Sequence, residues 1–217
     1  MSQDGYRLMH AVPWLIVGLG NPGAEYAETR HNIGWMVVHA FVERYGGLWR
    51  QGVGPWMEAQ VRVSGQPVIA ILPLTYMNRS GEAVRALQKL NKIPTERIVI
   101  VLDELNFPLG RLHLKASGSD GGHNGMASVI EHLGTRNVLR LRCGIGDAFP
   151  TGGMVEYVLS PFDPHELPQR DAMIERAVRA LEYLLKHGPA RAMSVINSGK
   201  LESQPQTTSA LPNQDIP

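Results

Sequence analysis

His31, Asp103, Asn21, Asn78 and Asn124 are the side chains of this 217-residue chain whose types and places could carry chemistry. An imidazole ordinarily titrates near pH ~6.5, inside the working range of a general base. A carboxylate such as Asp103 could hold that ring in one tautomer and stabilise its cation. Carboxamides both donate and accept, so the three asparagines could bond amide or hydroxyl groups. The sequence shows no nucleophile-elbow serine and no histidine cluster at metal-ligand spacing, which favours attack by water without a metal. Blander readings stand beside these. His31 could cap a helix, Asp103 could close a turn, Asn21 and Asn124 lie beside Gly or Pro as turn formers do, and Asn78 could cap the helix after it.

The elements that must place them can be read from hydrophobic pattern. Leu15 to Leu19 is a short, β-branched run that predicts a buried strand, and Asn21-Pro22-Gly23 is a turn at its C-terminal end. In open α/β sheets that end is where ligands sit. His31 precedes Ile33 to Phe41, a predicted buried helix with Trp35, Met36 and Phe41 as core. Ile98 to Leu102 is a second all-apolar strand, and Asp103 follows it. Two such runs, each near a helix, predict a largely parallel buried sheet. Asn78 lies between a strand and the helix Ser80 to Leu90, and Asn124 lies in the glycine-rich entry to a helix from Met126 to Leu133.

Gly18-x-Gly20-x-x-Gly23 matches the dinucleotide fingerprint, but Pro22 interrupts the turn and the helix starts only near His31. The candidate acid, Glu43, falls inside that helix, so an oxidoreductase reading is disfavoured.

Elsewhere Met57 to Val63 and Val68 to Leu72 predict a hairpin across Ser64-Gly-Gln-Pro67. Leu112 to Lys115, Val138 to Ile145 and Met154 to Leu159 read as further strands. Asp163-Pro-His-Glu166 has capping-box order for a helix to His187, Gly188-Pro189 stops it, and Ala190 to Ile196 adds a short one. Residues 1–12 read as an N-terminal extension, 13–200 as one domain, and 201–217 as a disordered tail.

With 43% apolar residues and 19% charged, the chain has enough for a core. Its 21 basic and 20 acidic side chains leave a formal charge of +1, so contact with nucleic acid needs a local patch. The single cysteine, Cys143, excludes an internal disulfide, fits a reducing compartment and reads as inert core within an apolar run. No run is long enough to span a membrane and the N-terminus is not a secretory signal, so a cytosolic protein is expected.

Five segments together carry a resemblance: Asn21-Pro-Gly…Tyr26…Arg30-His-Asn32, Met77-Asn78-x-Ser-Gly81, Asp103-Glu-Leu105, Gly121-Gly-His-Asn-Gly125 and Arg140-Leu-Arg-x-Gly-Ile-Gly146. In this order, over roughly Leu15 to Asn197, they resemble bacterial-type peptidyl-tRNA hydrolases. The resemblance implies an α/β fold, a single domain with a twisted mixed, largely parallel sheet surrounded by helices, usually monomeric. It implies hydrolysis of the ester between a nascent peptide and tRNA, with His31 as base, Asp103 as its orienting acid and no cofactor. By it, Asn21 positions the water and tells blocked from free aminoacyl ends, and Asn78 and Asn124 hold the peptide and terminal nucleotide. A second role for Asn124 is donation to the transition-state oxygen. Tyr26 and Tyr76 would flank the 3′ end, Lys115 and Arg142 would grip phosphate, and His123 reads as structural. Peptidyl-tRNA is the implied partner, with transient ribosome association. Asn106-Phe107 and Ser119-Asp120 depart from the family pattern without touching the catalytic set. The rivals are a non-catalytic RNA-binding relative and a generic esterase for small esters.

Overall fold

All five residues of β1 (Trp14–Gly18) are buried, because the strand runs through the middle of a seven-stranded sheet. The computed structural model describes residues 11–203. After β1 the chain forms α1 (Ile33–Arg44), β2 (Arg50–Gln51), β3 (Trp56–Val63), β4 (Gln66–Pro73), α2 (Ser80–Asn91) and β5 (Ile98–Glu104). Then come β6 (Leu112–Lys115), α3 (Asn124–Leu133), β7 (Leu139–Gly144), α4 (Met154–Val158), α5 (Leu167–His187) and α6 (Pro189–Asn197). The strand order is β2-β3-β4-β1-β5-β7-β6. The inner strands β4, β1, β5 and β7 are parallel, and β2, β3 and β6 are joined antiparallel at the margins.

Alternation along the inner strands divides the apolar side chains between two cores. Ile16 faces Val37 and Phe41 of α1 and Leu181 and Leu184 of α5. Leu15 and Val17 face Val84 and Leu87 of α2 and Met126 and Val129 of α3. The β3–β4 hairpin closes on two residues, Ser64 and Gly65, both with positive φ (49° and 80°), so Gln66 and Pro67 belong to β4 and not to the turn. The edge strand β6 is covered by Asn197, whose carboxamide accepts from Leu114 N–H at 2.8 Å and donates to Leu114 C=O at 2.9 Å.

Three readings are corrected. Met154 to Leu159 is not a strand: Met154 to Val158 is the short helix α4. Its apolar residues fall at helical as well as strand spacing, and β7 already pairs with β5 and β6 on its two sides. The tail does not begin at Leu201: Lys200–Ser203 is a 3-10 turn, and Leu201 is buried against the α5 side of the sheet. The helix expected to open at Asp163 starts at Leu167 with no side-chain cap, although the Glu166 carboxylate does accept from Asp163 N–H at 2.7 Å. The remainder of the expected tail, and residues 1–10 of the expected N-terminal extension, lie outside the described residues.

One close approach places everything that follows. A Cβ on Gly34, in the first turn of α1, would lie 2.4 Å from Val101 O and 2.6 Å from Leu19 O; one on Gly18 would lie 2.5 Å from Gly34 O. The start of α1 therefore sits directly on the C-terminal ends of β1 and β5. The three nearest atoms, Val101 O, Leu19 O and Leu19 N, are all backbone and cannot swing aside, so Gly34→Ala should destabilise the fold by about 1–3 kcal/mol. Urea unfolding checks this: the midpoint should fall while the slope stays unchanged.

Candidate active site

Asp103 occupies the next-to-last position of β5 and is 4% exposed. His31 reaches it from the 3-10 turn Arg30–Asn32 that leads into α1, with Nδ1 2.9 and 3.0 Å from the two carboxylate oxygens. His123 reaches it from the N-cap of α3, with Nε2 2.8 Å from Oδ1. Burial alone would raise the Asp103 pKa. The charges of His123 and His31, and the hydrogen bonds both make, more than offset it and hold the carboxyl well below the usual range.

The ring tautomers follow from their partners. His123 Nδ1 accepts from Met126 N–H at 3.2 Å, so in the neutral ring Nε2 carries the proton and donates to Asp103. His31 Nδ1 donates to the same carboxylate, which leaves the lone pair on Nε2. Of all described residues, none offers that nitrogen a partner. His31, Asp103 and His123 form a cluster whose ligand atoms lie within 4.8 Å of one another, the spacing of a metal site. The donor set suits hydrogen bonds better. A cation on His123 Nε2 would require a proton on Nδ1, against the Met126 N–H, and one on His31 Nδ1 would put the proton on Nε2 and remove the free base.

Asn21, 7% exposed, lies just past β1. Its Oδ1 accepts from Met77 N–H at 2.8 Å, so the side chain has only Nδ2 to offer. Its backbone is held by Asn32, which accepts from Asn21 N–H and donates to Asn21 C=O, both at 2.9 Å. A cleft of about 620 Å³ opens over these groups. Asn21, His31, Tyr76, Asn78, Asp103, Lys115, His123, Asn124 and Arg142 all line it, and Phe149, Met154, Val155 and Leu159 add an apolar wall.

The matching family model is that of peptidyl-tRNA hydrolase, over residues 15–205. A peptidyl-tRNA hydrolase of Synechocystis sp. is 42% identical over 189 residues, 86% of this chain and 97% of that protein. One from Aquifex aeolicus is 43% identical over 188 residues, 84% of this chain and 95% of its own. The crystal structure of peptidyl-tRNA hydrolase from Acinetobacter baumannii superposes with a TM-score of 0.81 at 36% identity, covering 87% of this chain and 97% of that one. The chain belongs to the peptidyl-tRNA hydrolase family. The mixed α/β sheet expected from the resemblance is the sheet observed, and the family is one of enzymes.

Within this peptidyl-tRNA hydrolase fold the expected site residues do not all share one surface. Tyr26, half-buried in the turn after Gly23, is not among the residues lining the cleft. Arg142 lines it but is committed: its guanidinium binds the Glu104 carboxylate through Nε at 2.7 Å and through Nη2, and lies 4.7 Å over the Phe107 ring. Lys115 is exposed at the end of β6, and Tyr76 and Asn78 are exposed on the rim.

Three participants escaped the sequence reading. His123 was expected to be structural, and it does cap α3, but it also shares Asp103. Asn32 was legible only as part of a motif. Arg30 is 3% exposed; it binds Glu166 at 2.6 Å, Ser160 Oγ at 2.8 Å and the Pro161 carbonyl, and lies 4.4 Å over the Tyr157 ring. Apart from Met126 on His123, their partners are 11 to 136 positions away, a distance that no local pattern reports. The Gly18 and Gly20 of the false fingerprint face protein: a Cβ on Gly20 would meet the Trp35 ring at 2.5 Å. Cys143, paired with Asp103 across β5 and β7, is fully buried, and burial, then the Asp103 charge, push its thiol pKa up, which leaves it inert.

A carboxyl whose pKa is depressed by folding stabilises the native state above its unfolded value, about 3.9, and loses that contribution as the pH falls toward the folded value. Asp103→Asn should therefore flatten the acid limb of stability below about pH 4. At pH 7 it should cost about 1–3 kcal/mol, because one ring N–H loses its acceptor. Urea denaturation from pH 2.5 to 7 measures both.

Proposed function

We propose that the protein hydrolyses the ester joining a peptide to the 3′-terminal ribose of tRNA, with His31 Nε2 as general base. The single observation that carries this reading is the Asp103-anchored imidazole. The ring belongs to a cleft that Asn21, Asn78 and Asn124 also line. A water in that cleft gives one proton to Nε2 while its oxygen bonds to the acyl carbon. The carbonyl oxygen takes up the negative charge and accepts a carboxamide N–H from Asn124, a residue of the cleft lining. As the tetrahedral centre collapses, the ester C–O bond breaks and the imidazolium returns the proton to the ribose oxygen. Asp103 stays ionised throughout and stabilises the imidazolium. The products are a free carboxylic acid and a tRNA ending in a 3′-terminal hydroxyl.

Asn21 offers only an N–H donor, which suits the carbonyl of an N-blocked aminoacyl group and gives nothing to a free ammonium. Asn78 and Asn124 on the rim can bond peptide or ribose without reading side chains. The family relatives, the complete His31–Asp103 pair and the asparagines favour this reading over a non-catalytic RNA-binding role. The reading includes a monomer that meets peptidyl-tRNA with transient ribosome association, and a free, buried Cys143 fits the reducing cytosol.

Offered N-acetyl-aminoacyl-tRNA, free aminoacyl-tRNA and a small ester, the protein should turn over only the first, with or without a chelator. His31→Ala should lower that kcat by about 10⁴-fold. Comparable cleavage of the small ester would point to a generic esterase, and inhibition by the chelator would point to metal-assisted hydrolysis.

Lys115 and Arg142 would meet tRNA phosphate differently. Lys115→Ala should weaken binding at low salt and reduce the slope of log K against log salt by about 1, with stability unchanged. Arg142→Ala should also lower the melting temperature, since the buried Glu104 loses its cation and keeps only the Asn106 hydrogen bonds to Oε1. Filter binding across a salt series and thermal melts separate the two.

A further inference from the structure

Asn32 occupies the N-cap position of α1, where asparagine is favoured, yet its side chain makes no capping bond. It is fully buried and is not among the residues lining the cleft. Both ends of its carboxamide are instead committed to one residue eleven positions upstream: Oδ1 accepts from Asn21 N–H and Nδ2 donates to Asn21 C=O. This is the paired exchange an antiparallel strand gives its neighbour, supplied here by a side chain. Met77 N–H then holds Asn21 Oδ1, so backbone and side-chain oxygen of Asn21 are both fixed and Nδ2 has one direction left.

His31 directly precedes Asn32, and α1 directly follows it on the sheet. We propose that Asn32 is a positioning residue that sets the Asn21 Nδ2 donor against the His31 Nε2 base. The group that orients the water or acyl carbonyl and the group that takes the proton then act at one fixed separation. The inference rests on the roles proposed above for Asn21 and His31. A helix cap would leave the Asn21 backbone groups to other partners, whereas a clamp consumes the cap residue's side chain, as here.

The test measures kcat and KM on N-acetyl-aminoacyl-tRNA for Asn32→Asp, Asn32→Ala, Asn21→Ala and the Asn21→Ala/Asn32→Asp double variant, with a melting curve for each. Asn32→Asp keeps the size and the acceptor for Asn21 N–H but turns an acceptor toward Asn21 C=O. It should lower kcat about 100-fold with little change in KM, as misalignment of reacting groups does. In the Asn21→Ala background it should lower kcat by no more than about twofold, because the group it aligns is gone. Wild-type kcat in Asn32→Asp would overturn the proposal, as would a full 100-fold loss repeated in the double variant. Loss of the folded state in both Asn32 variants would overturn it too, since the residue would then hold the fold and not the donor. Wild-type kcat in Asn21→Ala alone would instead remove the role of Asn21, and this inference with it.

Discussion

A carboxylate buried at the end of a strand dictates the rest of the site. Asp103 sits among apolar neighbours in β5, where an unpaired charge would be very costly. It is tolerated because two imidazole N–H groups point at it, His31 from one side and His123 from the other. That requirement fixes chemistry as well as stability. A ring nitrogen that must donate to Asp103 cannot be the basic one, so the lone pair of His31 is sent to Nε2 and into the cleft. The two rings lie 4.8 Å apart between centroids, held by helices on opposite sides of the sheet. Asp103 thereby ties α1 to α3 through hydrogen bonds that are also the control of protonation state.

The segment that carries His31 is gripped at both ends. Upstream, Arg30 is locked to Ser160, Pro161 and Glu166, and Thr29 makes an isolated bridge to Pro161. Downstream, the Gly34 backbone is pressed onto Leu19 and Val101. A 3-10 turn has poor hydrogen-bond geometry of its own, so its precision must come from these neighbours. The buried Arg30 carries part of that task, because the Glu166 carboxylate and the Tyr157 ring replace the solvent it lost. The same contacts anchor α4 and its apolar residues on the cleft wall, so base and wall share one support.

How far the sequence speaks depends on whether the interaction is local. The apolar runs Leu15–Leu19 and Ile98–Leu102 announced two buried parallel strands because both their faces are covered. The helix after His31 was equally plain from its spacing. Met154 to Leu159 misled because a short apolar run fits either period, whereas the backbone bonds it makes, Tyr157 N–H to Gly153 C=O and Leu159 N–H to Val155 C=O, are those of a helix. Asn21, His31, Asp103 and Asn124 were legible as polar residues at element edges, and the structure brings them into one cleft. Tyr26 was not placed there, and Arg142 proved tied to Glu104 and Phe107. Those ties join separate strands and loops, and nothing in the residues around position 142 reports them.

The polarity of the cleft explains why neither a serine nor a metal is needed for the proposed chemistry. Asn21 has given its oxygen to Met77 and presents N–H alone, while His31 presents a lone pair alone. A water between them can accept from one and donate to the other, and the reversed orientation would set donor against donor and lone pair against lone pair. In the proposed reaction that pairing would select one orientation of the nucleophile, in a partly apolar cleft where such hydrogen bonds are stronger than in bulk water. A serine would add a covalent intermediate to a leaving group, ribose hydroxyl in an activated ester, that one protonated imidazole can already release. What the fold must supply is the fixed spacing of one donor and one acceptor, and the Asn32 clamp and the Asp103 anchor supply it from buried positions that solvent cannot loosen.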